Sequence, residues 1–314
     1  METDVICMGM ALVDSIIKGF DPTPVSKSGF RARSCTLNPG GEAVNEAVTA
    51  ARLGLRTRIL CALGQDMAGS LIEGFLRENS VDTSLIIHPA SHSTPVTTMF
   101  VNEDGSRKSI TNTSHTYNFK PEERLDSLEG TKAIILGSLF RAPFDSISSI
   151  KAVVTYAQER GIKVFADTKL PNFRFLSLED IKSTLPYMDW ITPNEDEARY
   201  FSGKEEPEEM AKVFLSYGVK NTVIKLGPRG CFYMGESGTF TLPALNIKAV
   251  DATGAGDNFI AGLVSELIRG KDVYSALQFA NACGAVCSTE VGACTALKSR
   301  EQVLSTLREF SYDY

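Results

Sequence analysis

Val250-Asp251-Ala252-Thr253-Gly254-Ala255-Gly256-Asp257-Asn258-Phe259 is the stretch around which the rest of the chain is organised. Before it, residues 245–250 alternate loosely and predict a short strand, and after it apolar residues recur at helical spacing as far as Ile268. The segment therefore predicts a strand, a tight turn and a helix that begins at residues 254–256. Small residues there leave the first backbone N–H groups uncovered, and the helix dipole adds positive charge. The turn is thus predicted to bind an anion.

Asp257 is unusual in such a turn, because two like charges a few ångströms apart repel when water is partly excluded. A site that holds a phosphate and also takes a proton from an attacking hydroxyl would need this carboxylate. Alternatively, Asp257 only favours the first turn of its helix, as acidic residues often do.

Two other glycine motifs do not fit this stretch. A dinucleotide fingerprint needs a third glycine where Phe259 stands, and it usually opens a domain instead of closing one. A P-loop needs Gly-Lys-Ser or Gly-Lys-Thr, and neither string occurs in the chain.

A second predicted helix also begins at a glycine pair, Gly40-Gly41, with Asn45 in its first turns. Paired glycines let a ligand approach the backbone closely, and an amide both donates to and accepts from hydroxyl groups. The alternative is a plain loop before a packed helix, with Asn45 facing water. Asp14 follows the predicted first strand, residues 5–10, and so would lie where α/β sheets bind ligands; the alternative is a solvated turn.

The 314 residues are 43% hydrophobic, enough for one large α/β domain without a linker, over residues 1–314. The net charge of −6 argues against nucleic acid and anionic membrane as partners, so a small-molecule ligand is expected. There is no signal-like start and no apolar run of ~20 residues, so we expect a soluble, cytoplasmic protein. The seven cysteines form no C-x-x-C pair, and the three histidines are distant from them in sequence, which favours free thiols over a zinc site.

Strands and helices alternate from residue 131, which predicts βαβ units and a parallel sheet. We expect strands at residues 133–136, 163–166, 190–192 and 221–226, with helices at 144–159 and 178–185. Period-two runs within residues 94–112 flank Asp104-Gly105 and predict a hairpin, which would join irregular strands within residues 15–38 in a small separate sheet.

Two motifs resemble the signatures of the PfkB, or ribokinase-like, carbohydrate kinases. They are Asp251-x-Thr253-Gly254-Ala255-Gly256-Asp257 near the C-terminus and Gly40-Gly41-x-Ala43-x-Asn45-x-Ala47 near the N-terminus. The resemblance implies an α/β fold, a ribokinase-like three-layer αβα sandwich with a mostly parallel sheet. It also implies a β-sheet lid from residues 15–38 and 94–112, which similar kinases often use to dimerise. The implied reaction is transfer of the γ-phosphoryl group of ATP to a sugar hydroxyl.

The resemblance also implies roles for individual residues. Asp257 would be the general base, and the developing charge would be held by the N–H groups of Gly254, Ala255 and Gly256. The acceptor would be bound by Asp14, Gly40, Gly41, Asn45 and Asp167. The nucleotide would be bound by Lys225, Gly227, Gly230, Thr253, Gly254, Gly256 and Asn281. Asn194 and Glu197 would organise water on Mg²⁺, although an acidic helix start is common without any ion. A potassium ion would bind backbone oxygens near Asp251, Thr253 and Gly292.

The chain departs from the family where many sugar-directed members have Asp-x-Asn-x-Arg. Here the string is Asp167-Thr168-Lys169-Leu170-Pro171, so Asp167 is kept and Lys169 replaces the Asn. Lys169 would meet an anionic or polyhydroxylated substrate, or lie in solvent.

Asp14, Gly41 and Asn45 suit two or three adjacent hydroxyls, and no cluster of Arg or Lys nearby calls for a sugar phosphate. An unphosphorylated ketose or pentose, such as fructose or ribose, is therefore the expected acceptor. A nucleoside kinase, adenosine- or pseudouridine-like, and a non-catalytic sugar sensor remain alternatives. A dehydrogenase fits least.

Overall fold

A computed structural model describes residues 2–19, 32–101, 107–111, 119–172 and 174–310. The strands are β1 (Thr3–Met8), β2 (Leu12–Lys18), β3 (Ser34–Gly40), β4 (Thr57–Leu60), β5 (Val96–Val101), β6 (Arg107–Thr111), β7 (Thr131–Leu139), β8 (Lys163–Thr168), β9 (Trp190–Ile191), β10 (Asn221–Lys225), β11 (Cys231–Gly235) and β12 (Gly238–Leu242). The helices are α1 (Glu42–Arg52), α2 (Met67–Glu78), α3 (Ile147–Glu159), α4 (Glu195–Ser202), α5 (Pro207–Ser216), α6 (Ala255–Ile268), α7 (Val273–Cys287) and α8 (Arg300–Glu309).

The main sheet has eight strands in the order β12-β11-β10-β9-β8-β7-β1-β4. Neighbouring strands from β4 to β10 pair in parallel, and β11 and β12 are added as antiparallel strands at one edge. The mostly parallel sheet predicted from the alternation of strands and helices is therefore confirmed.

Both faces of this sheet are covered by helices, as the apolar runs of its strands require. In β1, Val5 and Cys7 pack on the side of α1, α2, α6 and α7, whereas Ile6 and Met8 pack on the side of α3, α4 and α5. Successive side chains of a strand point to opposite faces, so one short strand contributes to both cores. The result is a three-layer αβα arrangement.

A second sheet has the order β3-β2-β5-β6, in which two antiparallel pairs are joined by the parallel pair of β2 and β5. It corresponds to the small sheet predicted within residues 15–38 and 94–112. Residues 20–31, 102–106 and 112 of those ranges lie outside the described residues. Strand β2 begins at Leu12, so Asp14 lies inside a strand of the small sheet and not in a turn after the first strand.

Two predicted elements are wrong. Residues 245–250 form no strand, because the N–H groups of Val250 and Asp251 both donate to Ser288 O after the end of α7 and have no sheet partner. Residues 178–185 form turns that lead into the 3₁₀ helix Leu185–Tyr187, and no α-helix. The turns bury Leu178, Ile181 and Leu185, so the apolar spacing that suggested a helix is met without one.

No helix among the described residues is both long and apolar enough to span a bilayer.

Candidate active site

Helices α1 and α6 meet beside the carboxyl ends of the parallel strands, and each begins at a glycine that requires positive φ. Gly41 has φ 94° and Gly254 has φ 78°. A Cβ at Gly41 would lie 2.5 Å from Met10 O, and one at Gly254 would overlap Ala293. Only glycine therefore fits at these positions, where the sequence predicted the two helices to begin.

Asp257 lies in the first turn of α6, only 5% exposed. Asn45 Nδ2 donates to Asp257 Oδ2 over 2.7 Å, and one turn further along α1, Thr49 Oγ1 donates to Asn258 Oδ1 over 3.0 Å. Helix α1 thus fixes the orientation of the Asp257 carboxylate. Asn45 itself is buried, so its amide positions Asp257, whereas the sequence predicted that it would face a ligand.

Burial raises the pKa of Asp257 to about 6, an effect that Lys169 opposes. A carboxylate with a pKa nearer neutrality is a stronger proton acceptor than an exposed aspartate, yet it is still ionised at neutral pH. The site therefore has the properties of a general base.

A positively charged side chain, that of Lys225, lies next to the glycine turn beside Asp257. Lys225, at the end of β10, places Nζ 3.0 Å from the position that a Cβ of Gly256 would occupy. The N–H of Ala255 donates to Ala252 O over 3.1 Å and is used by the turn itself. The groups of this turn that are suited to bind an anion are consequently the backbone at Gly254 and Gly256 together with Lys225.

Asp167, at the carboxyl end of β8, is 1% exposed and binds Lys225. Its Oδ1 lies 2.5 Å from Lys225 Nζ and accepts from Thr192 Oγ1 over 2.8 Å. Asp167 therefore holds Lys225 toward the turn, and its carboxylate also lies within 4.8 Å of that of Asp257.

Lys169 follows β8, and its Nζ lies 3.5 Å from Glu42 Oε1 on α1. Burial acts to lower the pKa of Lys169, but the carboxylates of Glu42, Asp257 and Asp167 outweigh burial and raise it above its usual value. Lys169 is thus a permanent cation among the carboxylates of the site, and it does not lie free in solvent.

Asn194 and Glu197 form a capping box at the start of α4. Asn194 Oδ1 accepts from the N–H of Glu197 over 2.9 Å, and Glu197 Oε2 accepts from the N–H of Asn194 over 3.0 Å and from Thr168 Oγ1 over 2.8 Å. These contacts are those of the ordinary helix start that was the alternative interpretation. Thr168 is the neighbour of Asp167, so the buried Glu197 carboxylate nevertheless lies at the edge of the same site.

The residues predicted for the nucleotide differ in their surroundings. Gly227 has open space where a Cβ would be, whereas a Cβ at Gly230 would overlap Leu242 O. Asn281 Nδ2 donates to Pro243 O over 3.4 Å. Gly227 thus leaves room for a ligand, whereas Gly230 packs against Leu242 and Asn281 binds Pro243.

Asp14 borders a cleft of about 180 Å³ between the small sheet and the loops near residues 251 and 292. A Cβ at Gly40 would lie 2.6 Å from Asp14 Oδ2, so a larger residue there would displace the Asp14 carboxylate. Burial raises the pKa of Asp14 to about 6, with a further contribution from Glu42. Asn45 and Asp257 do not line the cleft, so it adjoins the base without containing it.

Sequence reasoning missed Glu42, Glu46 and Asn258. Glu46 is fully buried in α1, and Asn258 Nδ2 donates to Gly254 O over 2.8 Å and to Ala293 O over 2.9 Å. Helical spacing would have revealed Glu46, because Ala43 and Ala50 lie three residues before it and four after it on the same apolar face.

Comparison with known proteins agrees with this geometry. Residues 3–300 match the family described as pfkB family carbohydrate kinase. The chain is 28% identical over 319 residues to probable fructokinase-2 of Arabidopsis thaliana, covering 97% of this chain and 95% of that protein. It is also 28% identical over 278 residues to the ribokinase of Haemophilus influenzae, covering 85% and 87% of the two chains. A protein of E. coli assigned as a ribokinase II, solved in complex with ATP and Mg²⁺, superposes with a TM-score of 0.80 at 25% identity, covering 98% of this chain and 99% of that chain.

The chain therefore belongs to the pfkB family of carbohydrate kinases. The ribokinase-like fold and the class of enzyme predicted from the two glycine motifs are confirmed.

Proposed function

We propose that this kinase transfers the γ-phosphoryl group of ATP to a hydroxyl of a small unphosphorylated sugar, as a fructokinase or a ribokinase does. The observation that carries the proposal is Asp257, a buried carboxylate oriented by Asn45 beside an anion-binding turn that has Lys225 next to it. Phosphoryl transfer needs an oriented acceptor hydroxyl and neutralisation of charge on the transferred group. This arrangement supports both.

The ATP and Mg²⁺ complex of the E. coli relative supports the same nucleotide and ion here. On this proposal the phosphates lie against the backbone of Thr253, Gly254 and Gly256, while Lys225, Gly227, Gly230 and Asn281 form the rest of the nucleotide site. Mg²⁺ would neutralise charge on the phosphates. A buried carboxylate at the edge of the site suits Mg²⁺, so Glu197, supported by Asn194, would orient its bound water.

In the reaction, Asp257 accepts the proton of the attacking hydroxyl as the oxygen–phosphorus bond forms. The N–H groups of Gly254 and Gly256 stabilise the developing negative charge in the manner of an oxyanion hole. Lys225 is already held in place by Asp167, so its positive charge acts on the transferred group without any movement of the side chain during the step.

The acceptor would bind near Asp14, Gly40 and Gly41, with the small sheet, residues 15–38 and 94–112, as a lid on a single domain. The carboxylates of Asp14, Glu42 and Asp257 would repel a phosphorylated acceptor, because like charges in a partly dry pocket interact strongly. A neutral ketose or pentose is favoured instead. We further propose a potassium site near Asp251, Thr253 and Gly292, and the cytoplasm as the compartment, which suits free thiols.

The test is ADP release measured against ketoses, aldoses, sugar acids, polyols, sugar phosphates and nucleosides. A neutral ketose or pentose should give the highest kcat/KM, and Asp14→Ala should lower kcat/KM for that sugar by roughly 10-fold or more, because a buried acceptor of its hydroxyl hydrogen bonds is lost. A preference for a sugar phosphate would contradict this pocket, a preference for nucleosides would make the protein a nucleoside kinase, and binding of a sugar without ADP release would indicate a sensor.

In the same assay, Asp257→Asn should lower kcat by ~10²–10⁴-fold, the usual contribution of a positioned base. Asparagine can still accept from Asn45, and the phosphate contacts are backbone groups, so ATP affinity should change little. Asp126→Asn, at an exposed position, is the control. Near-normal turnover of folded Asp257→Asn would exclude Asp257 as the base.

A further inference from the structure

Lys169 is fixed in place at the carboxyl edge of the sheet. Its backbone N–H donates to Leu139 O over 2.9 Å, which extends the pairing of β7 and β8 by one residue. Its ammonium lies 3.5 Å from Glu42 Oε1, and Glu42 Oε2 accepts from Ser138 Oγ over 3.1 Å. The backbone and the ammonium of Lys169 are therefore both held, although 27% of the side chain remains exposed.

The carboxylates around Lys169 include the proposed general base and the group that holds Lys225. Asp257 is the base on α6, Asp167 binds Lys225, and carboxylate oxygens of Asp257 and Asp167 lie within 4.8 Å of each other. Glu42 on α1 and Glu197 on α4 complete the set. All four act to keep Lys169 charged. A single ammonium at this junction thus experiences the general base and the phosphate site together.

The charge balance explains why a cation is needed there. Four carboxylates, Glu42, Asp167, Glu197 and Asp257, face two lysines, Lys169 and Lys225, and a fifth carboxyl group, Glu46, lies within 4.8 Å of Asp167 and Asp257. Lys225 is already paired with Asp167 at 2.5 Å. A phosphoryl group that enters this site carries further negative charge, and the surplus carboxylates would repel it in a pocket with little water. If Lys169 served only as part of an exposed ion pair, one carboxylate would be enough, and the pair would contribute little to stability.

We propose that Lys169 is a catalytic residue whose ammonium binds the phosphoryl group during its transfer, while Lys225 binds it from the anion-binding turn. Glu42 holds Lys169 in position when no ligand is bound. The inference rests on the proposed function and gives Lys169 a phosphoryl-binding role in place of the acceptor-binding role expected from the sequence. The bond from the acceptor oxygen to phosphorus forms as the bond to ADP breaks, and the hydroxyl proton goes to Asp257. Lys169 donates hydrogen bonds and undergoes no covalent change.

The test is steady-state kinetics of Lys169→Gln and Lys169→Arg with the best acceptor. Lys169→Gln should lower kcat at least ~100-fold, as loss of one preorganised donor to a transition state does, with the KM of the acceptor within about 3-fold. Lys169→Arg should recover a large part of kcat, because it retains the charge. Lys182→Gln, which also breaks a lysine–glutamate pair but at the surface, is the matched control and should not change kcat. An increase in acceptor KM with unchanged kcat would overturn the proposal.

The double variant Glu42→Gln/Lys169→Gln separates catalysis from charge balance. If Lys169 only neutralises Glu42, removing both charges together should restore activity. If Lys169 binds the phosphoryl group, the double variant should stay at least ~100-fold impaired. The double variant leaves no unpaired carboxylate at position 42. It can therefore be measured even if Lys169→Gln alone is unstable. Restored turnover would overturn the proposal.

A binding measurement gives an answer that does not depend on the identity of the acceptor. Titration calorimetry with ADP, Mg²⁺ and aluminium fluoride, a mimic of the phosphoryl group in transfer, should show at least ~10-fold weaker binding to Lys169→Gln, and ADP with Mg²⁺ should bind equally to both proteins. Equal binding of the mimic would overturn the role of Lys169. Absence of ADP release from the wild type with every acceptor would instead contradict the proposed function.

Discussion

Glu46 is fully buried in helix α1, and neither carboxyl oxygen has a hydrogen-bond partner in the part of the chain that the structure describes. Carboxylate oxygens of Glu46, Asp167 and Asp257 lie within 4.8 Å of one another. Burial raises the pKa of Glu46 well above its usual value, and the charges of Asp257 and Asp167 raise it further. The folded protein therefore keeps a proton on Glu46 under conditions in which the unfolded chain releases it.

This proton makes stability depend on pH. Because the folded pKa is raised, the stabilising effect is complete below the unfolded pKa and is lost as pH rises through the folded pKa, at most about 1.4 kcal/mol per pH unit. Glu46→Gln keeps the size of the side chain and cannot titrate. We expect its free energy of unfolding, measured in urea from pH 5 to 8, to increase relative to the wild type as pH rises.

Glu129→Gln, at an exposed position, is the control and should show no such trend. A difference between Glu46→Gln and the wild type that stays constant from pH 5 to 8 would mean that Glu46 titrates normally.

At the scale of elements, local chemistry made the helix starts at Gly41 and Gly254 predictable. Glycines just before an apolar helical period indicate where a helix begins and where its N–H groups are uncovered, without any tertiary information. The parallel strands were predictable for a similar reason, since short apolar runs that alternate with helices typically form the buried strands of a parallel sheet.

The contacts that complete the site were not predictable, because they join residues that are distant in sequence. Asn45 and Asp257 are 212 positions apart, and nothing near either residue shows that the amide binds the carboxylate. Residues 245–250 have the pattern of a strand, but the N–H of Val250 donates to Ser288 O and that of Ile247 to Leu245 O. Periodicity describes which groups can be buried and does not identify their partners.

The loops behind the anion-binding turn are joined by Asp251. Its Oδ1 accepts from the N–H and the hydroxyl of Thr253 over 3.0 and 2.7 Å, and its Oδ2 accepts from the N–H of Gly292 over 3.0 Å. The backbone carbonyls of both loops are thereby held close to the start of α6. Such oxygens suit a weakly hydrated monovalent cation, whose charge would add to the positive field of the turn.

We therefore predict that potassium activates the enzyme more than sodium. kcat should be higher in potassium chloride than in sodium or tetramethylammonium chloride at equal ionic strength, and Asp251→Ala should remove the difference because the two loops are no longer joined. Equal rates of the wild type in all three salts would contradict the site.

At the scale of the whole molecule, the small sheet has one face toward the cleft and one face away from it. Asp14, Ile16 and Met99 line the cleft. Side chains alternate along a strand, so Ser15 and Thr98 point to the opposite face. The side chains on this outer face therefore do not line the cleft.

A continuous row crosses this outer face, because cross-strand partners share a face. Leu37 pairs with Ser15, Ser15 with Thr98, and Thr98 with Ile110. Leu37 is 59% exposed and Ile110 is 66% exposed. Two large apolar side chains are therefore exposed on one face of this sheet, with Ser15 and Thr98 between them.

We predict that a second copy of the chain covers this face, so that the enzyme is a dimer through the small sheet. Leu37→Glu/Ile110→Glu should sediment as a monomer at micromolar concentration, whereas the wild type should sediment as a dimer, because four buried charges in a symmetric interface would be unpaired. Phe175→Glu, which changes an apolar side chain that is 72% exposed outside the sheet, is the control and should remain dimeric. A monomeric wild type, or a dimeric double variant, would exclude this interface. Because the opposite face borders Asp14, dissociation should also raise the KM of the acceptor more than it lowers kcat.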